Sequence, residues 1–163
     1  MAVTLVADVG ATNANSYCTD AEALTYHQTR YLNSVWEEAD KADREKVLMW
    51  ATRLMDQLNW RGRRNVQTQA LRWPRVGCVD REGFPVTYTG IPTVIKEACA
   101  EWAFYLLTED RTLDEGGLVE LGGKVGPISN APMYARKVMP DGVREMLAPF
   151  ITATAGYGRV TRV

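Results

Sequence analysis

The chain has 163 residues, 46% of them apolar and 24% charged, with a formal net charge of −1. That balance suits one ordinary domain with a real core, and excludes both a disordered chain and a molecule that is polycationic as a whole. A nucleic-acid role would need a local basic patch. No apolar run approaches the roughly 20 residues of a membrane span. The three cysteines, Cys18, Cys78 and Cys99, are scattered and have one histidine for company, which argues for free thiols in a reducing cytoplasm and against a zinc site.

Residues 1–16 are small and polar after a short apolar start without the basic region of a signal peptide, and read as an N-terminal arm. Within it, Asp8-Val9-Gly10-Ala11-Thr12-Asn13 is similar to the first phosphate loop of glucokinase-type sugar kinases, but the second phosphate loop and the catalytic aspartate of that class are missing. Thr19-Asp20-Ala21-Glu22 is a capping box that starts the first helix. Ala21, Leu24, His27 or Gln28, and Tyr31 fall on one face of it, with His27 as a packing or hydrogen-bonded residue and not a catalytic base. Asn33-Ser34 closes this helix, and Trp36 packs back on the core from the following loop.

Asp40-Lys41-Ala42-Asp43 places acids at the positive end of the second helix. Val47, Ala51, Leu54 and Leu58 form its apolar face, flanked by Leu48 and Met55. Ile91-Pro92 opens a third, long helix that ends near Asp110. Its buried stripe is Ile95, Ala98, Cys99, Trp102 and Leu106. Lys96, Glu97 and Glu101 face water, and the small Ala98, Ala100 and Ala103 allow a close helix neighbour. Gly77 to Gly90 turns at Arg81-Glu82-Gly83-Phe84-Pro85, and Gly pairs over 116–138 indicate a β-hairpin or extended excursion. Pro140-Asp141-Gly142-Val143 opens a last short helix through Leu147. The sequence thus predicts a mainly α fold: a bundle of about four helices over 17–150, with a basic, Gly-spaced C-terminal arm at 151–163 that carries Arg159 and Arg162.

Between the second and third helices, Asn59 to Arg75 fits neither period. It holds Arg61, Arg63, Arg64, Arg72 and Arg75 with Trp60, Trp73 and Pro74. Two physical readings stand. Arginines that track phosphate, with aromatics on which bases stack, make a sequence-tolerant single-strand binder. Alternatively, Trp60, Trp73, Pro74 and, from the third helix, Trp102 are structural anchors, and the arginines meet helix carbonyls, Asp56, Glu101 or a protein partner. Catalytic residues, cofactor ligands and metal ligands are not expected. No serine sits in a Gly-x-Ser-x-Gly elbow, and the pairs Glu37-Glu38, Glu109-Asp110 and Asp114-Glu115 read as solvated surface.

Several blocks in order resemble one family. They are Asn13-Ala14-Asn15-Ser16-Tyr17, Trp36, Asp43-Arg44-Glu45-Lys46 with Ala51-Thr52, and Trp60-Arg61-Gly62. The strongest block is Gln69-Ala70-Leu71-Arg72-Trp73-Pro74-Arg75-Val76-Gly77, followed by Ile91-Pro92, Lys96-Glu97-Ala98 and Lys124-Val125-Gly126-Pro127-Ile128. Together, over about residues 11–150, they resemble tailed-phage proteins labelled DnaT-like single-stranded DNA binding proteins, a family that reads as head–tail connectors. Asn130-Ala131-Pro132 departs from the family's simpler strand. The resemblance implies a non-enzymatic virion protein at the head–tail interface, assembled in the host cytoplasm. It would form a homo-oligomeric ring, a dodecamer, beneath the portal protein. A tail, stopper or tail-terminator protein would dock on the opposite face, and phage genomic DNA would pass through the lumen. The label itself implies the alternative, direct single-strand binding.

Overall fold

The computed structural model describes residues 3–31, 33–109 and 138–152. Among them the chain forms five helices: α1 (Asp20–Gln28), α2 (Ser34–Glu38), α3 (Lys41–Asp56), α4 (Thr93–Thr108) and α5 (Asp141–Leu147). A two-stranded antiparallel ladder, β1 (Arg63–Arg64) and β2 (Arg75–Val76), lies inside the Trp/Arg segment. The mainly α bundle expected from the sequence is what the chain adopts. The expected excursion falls outside the described residues up to 137, as do Arg159 and Arg162.

α4 is the hub, and each of the other four helices packs on it, α3 most extensively. Its predicted stripe, Ile95, Ala98, Cys99, Trp102 and Leu106, is buried throughout, and so are the small Ala100 and Ala103 that let its neighbours approach. Pro92 stands one place earlier than expected, as the residue before the first turn, and the helix stops at Thr108. Glu101 is not on a wet face. It is half-buried and takes a two-pronged ion pair from Arg30, at 2.7 and 2.9 Å.

The capping box of α1 forms as predicted: the Glu22 N–H donates to the Thr19 hydroxyl, and the Thr19 N–H donates to the Glu22 carboxylate. The buried face of α1 differs from the expected one. Ala23 and His27 are buried, whereas Ala21 and Tyr31 are exposed. α1 also ends earlier, at Gln28, and Asn33-Ser34 begins a separate one-turn helix that carries the fully buried Trp36 into the core. In α3 the buried face is Leu48, Ala51, Thr52 and Met55, with Val47 and Leu54 at its edge. The predicted stripe is therefore rotated toward its flank. The reason is polar: Thr52 sits in the core, where its hydroxyl accepts the Tyr17 N–H (3.1 Å) and lies 3.3 Å from the Cys99 sulfur. Arg44 of α3 clasps Asp20 of α1 at 2.7 and 3.1 Å, tying the two helix starts together.

Residues 3–16 lie against this bundle. The Asn15 side chain closes a loop by accepting the Val6 N–H and donating to the Thr4 carbonyl, and Ala14 and Ser16 are buried. The three cysteines are free and buried. No helix among the described residues is long and apolar enough to cross a membrane.

Candidate nucleic-acid interface

From Gln57 to Val79 the chain holds five arginines and no carboxylate, in a molecule whose net charge is −1. What those arginines can do depends on what fixes the segment. Trp60 and Trp73 are 9% and 1% exposed. The Trp60 indole N–H donates to the Met55 carbonyl (2.9 Å), which also accepts the Leu58 N–H (3.0 Å) at the end of α3. Trp60, Trp73 and Phe150 meet edge to face, with 5.6 Å between centroids in each pair. This aromatic file joins the segment to the chain just beyond α5. Pro74 is buried behind a cis Trp73–Pro74 peptide, and Trp102 is buried in α4.

Backbone contacts tighten the attachment. The Arg61 N–H donates to the Phe150 carbonyl (2.8 Å), Ala70 to Ala11 (3.0 Å), and Thr152 to Asn59 (2.7 Å). Gly62 has a positive φ of 67°, and a Cβ there would lie 2.3 Å from the Val76 carbonyl oxygen, so only glycine fits this crossing. Gln69, which the sequence reading did not single out, is a buried hub. Its side chain accepts the Val66 N–H and donates to the Leu71 and Pro74 carbonyls. Only its place in the strongest family block marked it; its partners are backbone groups that side-chain chemistry does not display.

The five arginines then separate. Arg75, grouped with the outward-facing candidates from sequence, is buried. Its guanidinium donates to the carbonyls of Arg61 (2.7 Å), Gly62 (2.7 Å), Arg72 (3.1 Å) and Trp60 (3.4 Å). Burial pulls its pKa below the ordinary arginine value. It therefore organises the loop from within and is not available to a ligand. Arg61, Arg63 and Arg72 are exposed and Arg64 is half-buried, with one guanidinium nitrogen on the Gln69 carbonyl (3.2 Å). The structure thus brings four arginines to the surface of one rigid segment. The indoles cannot serve as stacking platforms, because both are packed into the core they hold together.

Beside Arg72 lies a cleft of about 400 Å³, bordered by Asp56, Asn59, Trp60 and Thr152. Asp56 accepts the Tyr17 hydroxyl and the Arg72 backbone N–H (3.2 Å). Burial raises the Asp56 pKa, against the opposing effect of these hydrogen bonds. Burial and the adjacent Asp56 charge hold the Tyr17 hydroxyl well above its usual range. Among the described residues no three metal-binding side chains cluster.

The family model described as "Putative DnaT-like ssDNA binding protein" matches residues 2–163. No curated protein and no solved structure matches the chain.

Proposed function

The chain belongs to this DnaT-like family, and from that premise we propose that it is a non-enzymatic DNA-contacting protein that holds a single strand by its phosphates. Arg61, Arg63, Arg64 and Arg72 make the contact. The observation that carries this reading is the acid-free segment with four arginines at its surface and its fifth arginine and both tryptophans locked beneath. Guanidinium groups on a fixed segment suit an anionic backbone, and they need no base stacking.

The test is fluorescence anisotropy of an end-labelled oligonucleotide against salt. Four phosphate contacts predict a slope of log K against log salt of roughly −3. Intrinsic tryptophan emission should change little on binding, since neither loop indole is open to a base. A flat salt dependence, or absence of binding at low salt, overturns the reading.

A second reading is the head–tail connector: a ring subunit that meets a portal protein on one side and a tail or stopper protein on the other, with the genome in the lumen. A separate observation favours it. The 77–90 turn, closed by the Val79–Pro85 bridge, leaves Phe84 68% exposed and Tyr88 also in solvent. Outlying aromatics on a turn are the kind of element that inserts into a neighbouring subunit. Negative-stain imaging of the protein with and without a portal separates the two: rings or portal-bound particles support the connector. A monomer that joins no portal at high concentration removes it.

A further inference from the structure

A second cleft, of about 380 Å³, lies between the 77–90 turn and α5. Its floor is apolar: Val94 from the start of α4, Met146 from α5, and Pro149 and Phe150 just after it. Its walls are fixed. The Asp80 carboxylate accepts the Glu82 and Phe84 N–H groups (3.0 and 2.8 Å), which holds the turn. The Arg81 guanidinium donates to the Glu145 carbonyl (2.8 Å), which straps the turn to α5. Glu82 and Glu145 remain at the rim, both exposed and in no ion pair among the described residues. An apolar floor under two carboxylates suits a segment that sets apolar side chains beside cations, and it repels nucleic acid.

This chain carries such a segment. Residues 153–163 hold Tyr157, Arg159, Val160, Arg162 and Val163 and no Asp or Glu, with Arg-Val occurring at 159–160 and again at 162–163. The segment follows Thr152, two residues beyond Phe150 of the cleft floor. Fully extended, the chain from Thr152 to Val160 spans at most about 28 Å, ample to return to a floor formed so close to Thr152. We propose that residues 153–163 dock in this cleft of their own chain, with Val160 on the apolar floor and Arg159 and Arg162 against Glu82 and Glu145. Exposed ion pairs are individually weak. Tethering, however, gives the segment an effective concentration of about millimolar, so a weak contact suffices and a second copy would have to compete with it. The proposal is independent of the single-strand reading, since it assigns Arg159 and Arg162 to a protein contact and uses no arginine of the 57–79 segment.

The test is cross-linking in the full chain. Val160→Cys with Met146→Cys puts one thiol on the segment and one on the floor, and the native cysteines are buried and do not compete. Mild oxidation with copper–phenanthroline should join positions 146 and 160 within one chain, read as a linked peptide by mass spectrometry. Adding Arg159→Glu/Arg162→Glu should slow the joining roughly tenfold, because two attractions become repulsions. Glu82→Arg/Glu145→Arg on top of that change should restore the rate. A segment that merely collides with the floor would not follow the charges. Should Met146→Cys fail to fold, hydrogen exchange compares the intact chain with Arg159→Glu/Arg162→Glu and leaves the cleft untouched. Amides 158–162 should then exchange roughly tenfold faster in the variant. No cross-link, a rate indifferent to charge reversal, or equal exchange overturns the proposal. Cross-links formed only between copies also overturn it, and would assign the cleft to the segment of a second copy.

Discussion

Arg64 and Arg75 face each other across a two-residue ladder, yet only one of them reaches solvent with donors to offer. The difference lies in the backbone carbonyls that converge on Arg75: four acceptors within 3.4 Å satisfy a planar fork that could not otherwise be buried. Trp73 works at the same scale. Its ring fills the space between Trp60 and Phe150, so Trp73→Ala should cost about 3–5 kcal/mol in urea unfolding. A loss within about 0.5 kcal/mol would mean that the ring is not part of the core. His27 gives a pH signature. It is fully buried, stacked near Trp36 and Phe104, with Nε2 3.1 Å from the Ala100 carbonyl. Burial lowers its pKa below 6.5, and Arg30 adds to this while Glu101 opposes it. The unfolded chain therefore takes up the proton first as pH falls below 6.5. Stability contributed by the neutral ring is complete above that pH and declines below it, by at most about 1.4 kcal/mol per pH unit. Urea midpoints measured from pH 7.5 down to 5.5 should show the decline, and His27→Gln should flatten it.

Elements differ in how openly their sequence declares them. The α4 stripe was legible in full because every residue on its buried face is apolar or small. α3 was legible as a helix but not in its rotation, since Thr52 is polar and its partners, Tyr17 and Cys99, lie 35 and 47 residues away. α2 has five residues, too few for a period to show, and so the buried Trp36 was correctly placed in the core but not on a helix. The Trp/Arg segment was recognisable as a unit, and its tryptophans as anchors. Which arginines point outward was not legible, because carbonyl positions decide it and those depend on the fold. α1 offers a direct check at its start, which was legible although its buried face and its end were not. Thr19→Ala removes the hydroxyl that accepts the Glu22 N–H and frees one half of the box, at a cost of about 1 kcal/mol. Glu22 also meets Lys96 of α4 at 2.5 Å, so the cap and the docking of α1 should weaken together. An unchanged unfolding midpoint would show that the box contributes nothing in this context.

At the scale of the whole molecule, charge is segregated rather than abundant. A chain of net charge −1 gathers its acid-free arginines on one segment, latched by the N-terminal residues at Ala11, by α3 at Met55 and Asp56, and by the residues after α5 at Phe150 to Thr152. Those attachments make the arginine surface a rigid feature of the bundle, and the cleft beside Arg72 lies between the end of α3 and the residues after α5. Both proposed roles, holding a strand and lining or joining a ring, would draw on this arrangement, and they differ in whether the arginines meet phosphate. The most direct measurement compares the salt dependence of oligonucleotide binding by the intact protein with that of Arg63→Ala/Arg72→Ala, two exposed positions outside the core. If these arginines contact phosphates, the slope of log K against log salt should become shallower by roughly 1, with the unfolding midpoint unchanged. An identical slope in the two proteins would place the contacts elsewhere and contradict the assignment of this segment as the DNA-binding surface.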